Sequence, residues 1–373
     1  MSNTDAMALL AGMALSAASW TGKSDGICSF PGLCESMFHY PHACSFAPAP
    51  NYIWTQDLRR TYLVAWLVMK NKGTVYSQNR KLYMIPTMRS LTAEEYVQAF
   101  KSFLDHSTEH QCMEQFINKE MPQILASLGN GKSTINVLGV GSGTGEQDLK
   151  MIRIMQAQHP GVLINNEVIE PNPQHAASYK ALINKSPDLQ NVSFIWHQIT
   201  STEYEQQVKE KNAPKKFDFI HMIQMLYRVD DITNTIKFFH SCLDQNGKLL
   251  IIILSGSSGW ASIWKKYRHC LPLTDSGHYI TSDDIKDILE GMGVEYQVYD
   301  FPSGWDITKC FIEGDMTGGH MMDFLTGTKN FMGTAPLDLK KRLQEALCQP
   351  ECSHKKDGSI IFSNDLSMIV VKS

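Results

Sequence analysis

The stretch INVLGVGSGTGEQDL, from Ile135 to Leu149, sets glycines at every second position: Gly141, Gly143 and Gly145. A strand-like apolar run precedes them, and a helical pattern opening on Glu146 follows. A turn of this kind lets a nucleotide cofactor approach the backbone closely, because glycine carries no Cβ. Three cofactor classes compete for it. A phosphate-binding loop needs a lysine directly after its last glycine, and the first lysine here is Lys150. A dinucleotide loop needs G-x-G-x-x-G. Counted from Gly139, the sixth position is Thr144; counted from Gly141, it is Glu146. Glu146 at the helix mouth would also repel the pyrophosphate that a helix N-terminus attracts. S-adenosylmethionine has no phosphate and carries a positive sulfonium, so it fits better. A second strand ending in an acid would then hold its ribose hydroxyls. Glu170, closing LINNEVIE 25 residues after Gly145, meets that need. Taken alone, Glu170 would be a solvated strand end.

The elements that must position these residues follow from the apolar spacing. AEEYVQAFKSFLDH puts Tyr96, Phe100, Phe103 and Leu104 on one helical face. STEHQCMEQFINKEMPQIL continues as a helix. From Ile135 strands and helices alternate, which predicts a mostly parallel sheet with helices on both faces. GKLLIIIL, ending at Leu254, reads as a central strand covered on both sides. VEYQVYDF (294–301) and LSMIVVKS (366–373) are two further strands. Residues 1–87 carry no sustained period, and FAPAPNY and MIPTM break any element. They are expected to form a flexible extension without a catalytic role.

Bulk properties exclude several classes. The chain has 373 residues and a net charge of −4, so no basic surface points to nucleic acid. No run reaches the roughly 20 apolar residues a membrane span needs. AMALLAGMALSAAS resembles a signal core, but MSNTD before it carries an acid and no base. Nine scattered cysteines, an odd number without zinc spacing, read as reduced thiols. A cytoplasmic, monomeric protein without a metal is expected.

The motifs FLDHSTEHQCM, INNEVIEP, FDFIHMIQMLY, SGSSGWASIWKKY and YITSDD, in this order over 88–373, resemble the histamine N-methyltransferase family. The resemblance implies an α/β, Rossmann-like class I methyltransferase with a seven-stranded, mostly parallel sheet. It implies S-adenosylmethionine as methyl donor and an imidazole ring nitrogen as acceptor. The methyltransferase domain would span 88–373, with substrate-binding elements at 88–125, 255–280 and 302–365. By the same resemblance Glu109 and Asn364 bind substrate, and Glu109 is the candidate catalytic group. Gly141, with Gly143 and Gly145 in the same loop, and Glu170 bind the methyl donor. Ser201 and Ile223 flank its adenine, and His175 stands where the family usually has glutamine. Gln224 and Tyr227 follow on the strand end. Tyr96, Phe100, Phe103, Trp260, Trp264 and Phe324 match the aromatic wall of the substrate pocket. Without the resemblance these aromatics would be read as core, and Glu109 as a surface acid. His106, His110 and His221 read as ordinary. The chain departs from the pattern at Gly139, where many methyltransferases of this fold place an acid, so one polar contact is expected to be missing.

Two departures concern the substrate. Arg228 stands where the family has a second tyrosine after MLY, and Gly277 where it has a cysteine before YITSDD. Arginine suits a carboxylate better than the ammonium of histamine, and glycine adds room. Both suit carnosine, β-alanyl-histidine, whose ring methylation gives anserine; an Arg228 pointing into solvent would leave histamine. A nicotinamide oxidoreductase is disfavoured by the glycine spacing. A non-catalytic protein binding S-adenosylmethionine and an imidazole is the remaining alternative.

Overall fold

The computed structural model describes residues 74–76, 82–84, 88–211, 215–272 and 279–373. The chain divides into two compact units, 1–87 and 88–373. In the first, Thr74–Tyr76 pairs antiparallel with Leu82–Met84. The expectation of a flexible extension otherwise lies outside the described residues.

The second unit, from which elements are numbered here, opens with helices α1 (Ala93–His106), α2 (Glu109–Lys119) and α3 (Met121–Leu125). Thr92 caps α1 in a reciprocal capping box with Glu95, which satisfies two otherwise orphaned N–H groups. The continuous helix expected over 107–125 breaks at Glu120. Pro122 is the reason: it has no N–H to extend α2, but fits the first turn of α3.

Strands β1 (Thr134–Val140), β2 (Leu163–Ile169), β3 (Val192–His197), β4 (Phe217–Ile223), β5 (Leu243–Leu254) and β6 (Tyr296–Phe301) then alternate with helices. The connecting helices are α4 (Glu146–Gln158), α5 (Pro173–Asn184), α6 (Ser201–Lys211), α7 (Ile232–Ser241), α8 (Gly259–Tyr267) and α9 (Ser282–Met292). After β6 come β7 (Gly304–Asp306), α10 (Met316–Thr326), α11 (Phe331–Thr334) and α12 (Leu337–Leu347). The chain closes with β8 (Ser353–Lys356), β9 (Ser359–Ser363) and β10 (Leu366–Lys372).

The main sheet has the order β3-β2-β1-β4-β5-β10-β6. Only β10 is antiparallel, paired with β5 and β6. The Rossmann-like, mostly parallel sheet expected from the alternation is present. One apolar layer joins it to α2, α3, α4 and Tyr179 of α5. The other joins it to α6, α7 and α9. Strand order reverses between β1 and β4, which opens a crevice at their carboxyl ends where such sheets bind nucleotides. A third core holds Phe103, Trp260, Trp305, Met321, Leu343 and Phe362 together. It unites α1, α8, α10 and α12 with a small antiparallel sheet in the order β8-β9-β7.

Candidate active site

After β1 the chain turns through Gly141, Gly143 and Gly145, with φ of 68°, 58° and 82°. These left-handed values favour glycine. Gly145 is constrained further, since a Cβ there would stand 2.1 Å from the Tyr179 ring. Glu170, just past β2, is buried rather than a solvated strand end. Its Oε2 accepts the Gly143 N–H at 2.7 Å, and its Oε1 accepts the Asn172 N–H at 2.9 Å. His175 Nδ1 lies 3.6 Å from Oε1. Burial alone would raise the Glu170 carboxyl, but hydrogen bonds from His175, Asn172 and Gly143 outweigh it and hold the pKa below its ordinary value. The same hydrogen bond raises His175. Ser201 opens α6 and Ile223 closes β4, both at the carboxyl edge of the sheet. An open backbone turn facing an ionised acid fits a donor with ribose hydroxyls and no phosphate.

Gly139 does not leave a gap. A Cβ there would stand 2.2 Å from Ser142 Oγ, 2.8 Å from Asp148 Oδ2 and 2.8 Å from His221 Cε1. The acid missing from the strand is replaced in space by Asp148 of α4. Asp148 Oδ2 and His221 Nε2 are buried 3.4 Å apart. His221, which looked ordinary in the sequence, is half of that pair. Among the described residues no cluster of side chains suits a metal ion.

The segment after β4 packs against the glycine turn, for a Cβ at Gly141 would meet Met225 Cβ at 2.9 Å. This segment carries Gln224, Tyr227 and Arg228. Gln224 has a φ of 50°. A left-handed glutamine costs on the order of 1 kcal/mol and persists only where its surroundings impose it. Gln224 lines a cavity together with Tyr96, Phe100, Phe103, Glu109, Tyr227, Trp260, Trp264, Phe324 and Asn364. One chamber therefore gathers every substrate residue expected from the sequence except Arg228. Phe103 and Trp260 also belong to the third core, so packing and lining are not alternatives for them. Phe324 joins the wall, with ring centroids 5.5 Å from Tyr96 and 5.1 Å from Phe103.

Glu109 begins α2 and is buried. Asn364 Nδ2 donates to its Oε2 at 2.9 Å, and Trp260 Nε1 donates to Asn364 Oδ1 at 2.7 Å. Burial raises the pKa of Glu109, and hydrogen bonds from Asn364 and Gln224 oppose the rise. The positive N-terminal end of α2 further favours the charged form. Arg228 is exposed beside the chamber, its guanidinium carbon 4.7 Å from the Tyr96 ring centroid and 5.4 Å from that of Tyr227. Gly277 lies outside the described residues.

Leu91, Leu254, Tyr279, Leu325 and Gly327 also line the chamber and escaped the sequence reading. Leu254 and Tyr279 had signals: the end of the longest apolar strand, and the first residue of YITSDD. The others sit where α1 meets α10 and had none.

A glycine turn bonded to a buried acid, beside an aromatic chamber that holds a second buried acid, defines a class I methyltransferase that uses S-adenosylmethionine. The family model described as a methyltransferase domain matches residues 113–297. Carnosine N-methyltransferase 2 of Gallus gallus is 77% identical over 295 residues, covering 79% of this chain and 92% of that protein. Histamine N-methyltransferase A of Xenopus laevis is 52% identical, covering 77% and 98%. Histamine N-methyltransferase of Rattus norvegicus is 49% identical, covering 78% and 99%. The chain belongs to this family of histamine and carnosine N-methyltransferases. No helix among the described residues is long and apolar enough to cross a membrane.

Proposed function

We propose that this enzyme methylates an imidazole ring nitrogen of carnosine, giving anserine. The observation that carries the reading is the pairing of a buried acid, Glu109, with an exposed guanidinium, Arg228, beside the same chamber. The first suits an imidazole, and the second suits the carboxylate at the far end of a histidine dipeptide. The Gallus gallus relative, at 77% identity, bears a carnosine methyltransferase name. The more distant histamine methyltransferases make histamine the second reading.

S-adenosylmethionine supplies an electrophilic methyl group when bound. Gly141, Gly143 and Gly145 would give it backbone access, Glu170 beside His175 would receive its ribose hydroxyls, and Ser201 and Ile223 would hold its adenine. The chamber lined by Tyr96, Phe103, Glu109, Gln224, Trp260 and Asn364 holds the acceptor. Its aromatic faces sandwich a flat ring and tolerate positive charge on it. Most of the rate comes from holding the neutral ring nitrogen in line. Imidazole has an unperturbed pKa of about 6.5, so the neutral nucleophile is abundant near pH 7. Glu109 accepts the N–H of the other ring nitrogen and stabilises the cation that develops. Asn364 and Gln224 fix the direction of that carboxylate. The free cysteines among the described residues suit a reducing compartment such as the cytoplasm.

The test is turnover of labelled S-adenosylmethionine with carnosine, histamine and histidine separately. The highest kcat/KM is expected for carnosine. A preference for histamine would overturn the substrate, and tight donor binding with no turnover would point to a binding protein.

A further inference from the structure

Both ends of the Asn364 carboxamide are committed. Oδ1 accepts from Trp260 Nε1 at 2.7 Å, while Nδ2 donates to Glu109 Oε2 at 2.9 Å and lies 3.4 Å from Ser303 Oγ. Asn364 is fully buried and its two partners nearly so. An indole N–H can only donate, so it selects the oxygen end of the carboxamide. The nitrogen end must then face Glu109. Turned around, the carboxamide would aim its oxygen at the acid, an arrangement acceptable only when Glu109 is protonated and donates. The indole cannot swing away, for Trp305 stacks on it at 6.1 Å and Phe362 meets it edge-on at 5.6 Å.

We propose that Trp260 is a positioning residue for Glu109, holding the Asn364 carboxamide so that an N–H donor always faces the carboxylate. The inference rests on the role given to Glu109 above. It gives Trp260 a task beyond its place in the aromatic wall. In a buried chamber, where desolvation favours the neutral acid, this fixed donor shifts Glu109 toward the charged form needed to receive a ring N–H.

The neighbouring titratable groups do not confuse the readout. Tyr96 on α1 and Tyr227 after β4 are both raised by burial. The Cys112 thiol, along α2, is pushed up to about 12 by burial. All three stay neutral where Glu109 changes charge. Arg228 faces the two tyrosine rings, and Asp365 accepts from Ser303 N–H and Ser363 Oγ.

The experiment is an infrared pH titration of the substrate-free enzyme, following the protonated carboxyl band that disappears in Glu109→Gln. Trp260→Phe is expected to raise its midpoint by about one pH unit, a tenfold gain in proton affinity. Replacing Trp260 with benzothienylalanine, which keeps the bicyclic shape and lacks the N–H, should give the same shift and guards against a packing artefact. Binding of S-adenosylhomocysteine verifies folding in each variant. An unmoved midpoint in the benzothienylalanine protein overturns the proposal. The role of Glu109 fails separately, if Glu109→Gln keeps the wild-type kcat/KM.

Discussion

The N–H of Gly143 donates to Oε2 of Glu170 across 2.7 Å, tying the glycine turn to the end of the neighbouring strand. Glu170 therefore shapes the turn, and on the proposed function its remaining lone pairs receive the donor's ribose. Removing it should cost two functions at once. Glu170→Ala is expected to weaken S-adenosylmethionine binding by roughly 10- to 100-fold, the scale of one or two hydrogen bonds to a charged group. Titration calorimetry measures it, and an unchanged Kd would remove Glu170 from the donor site.

The proposed function puts Glu109 on the other substrate. Glu109→Gln keeps an acceptor for Asn364 but loses the charge that stabilises a ring turning positive. A fall in kcat of about 100-fold or more is expected, typical of losing one preorganised electrostatic partner, with donor affinity intact. Equal losses in donor binding and turnover would instead indicate general damage to the fold.

His175 gives a pH signature. Its pKa is raised by Glu170, so the native state binds that proton more tightly than the unfolded chain does. The stabilisation is fully present below the ordinary histidine value, about 6.5, and is lost as pH rises through the raised native value. Glu170, lowered in the native state, works in the opposite sense and loses its contribution only on acidification. Melting temperatures of wild type and His175→Gln between about pH 5 and 8 should differ most at the acid end. Parallel curves would show that the pair is not coupled.

Gly145 tests the turn itself. At φ 82° with Tyr179 where a Cβ would go, alanine is both strained and blocked. Gly145→Ala is expected to lower stability by about 1–3 kcal/mol and to cut donor affinity. Gly143→Ala meets no neighbouring atom and should cost only the φ strain. Denaturant unfolding of the two variants separates the effects; equal losses would mean that the Tyr179 ring does not brace the turn.

The sheet was readable in the sequence because strand-like segments alternate with helical ones, most plainly at the GKLLIIIL run of β5. The glycine turn and Glu170 were readable because their spacing is local. The small sheet was not, since Ser353–Lys356 and Gly304–Asp306 are too short to show alternation. Helix α12 did carry a signal in Leu339, Leu343, Ala346 and Leu347, all buried on one face. The acid of α4 that fills the space over Gly139 was hidden because Asp148 reaches it through the fold, not along the strand. The chamber is likewise non-local: Glu109 and Asn364 meet across 255 positions, and only the family resemblance joined them beforehand.

On the proposed function, Arg228 is the residue that separates the two substrates. Its guanidinium, flanked by the Tyr96 and Tyr227 rings, is oriented yet exposed, so a carboxylate pairing with it is partly screened. Arg228→Tyr installs the tyrosine that the family resemblance leads one to expect after MLY. It should lower kcat/KM for carnosine by roughly 5- to 10-fold, the worth of about 1 kcal/mol or slightly more. Histamine, which has no carboxylate and brings an ammonium instead, should gain or hold. The ratio of the two kcat/KM values is the measurement, because a change that merely loosens the chamber lowers both together. Raising the salt concentration should narrow the wild-type preference for carnosine and leave the variant's ratio unmoved, since an exposed ion pair weakens as the Debye length shortens.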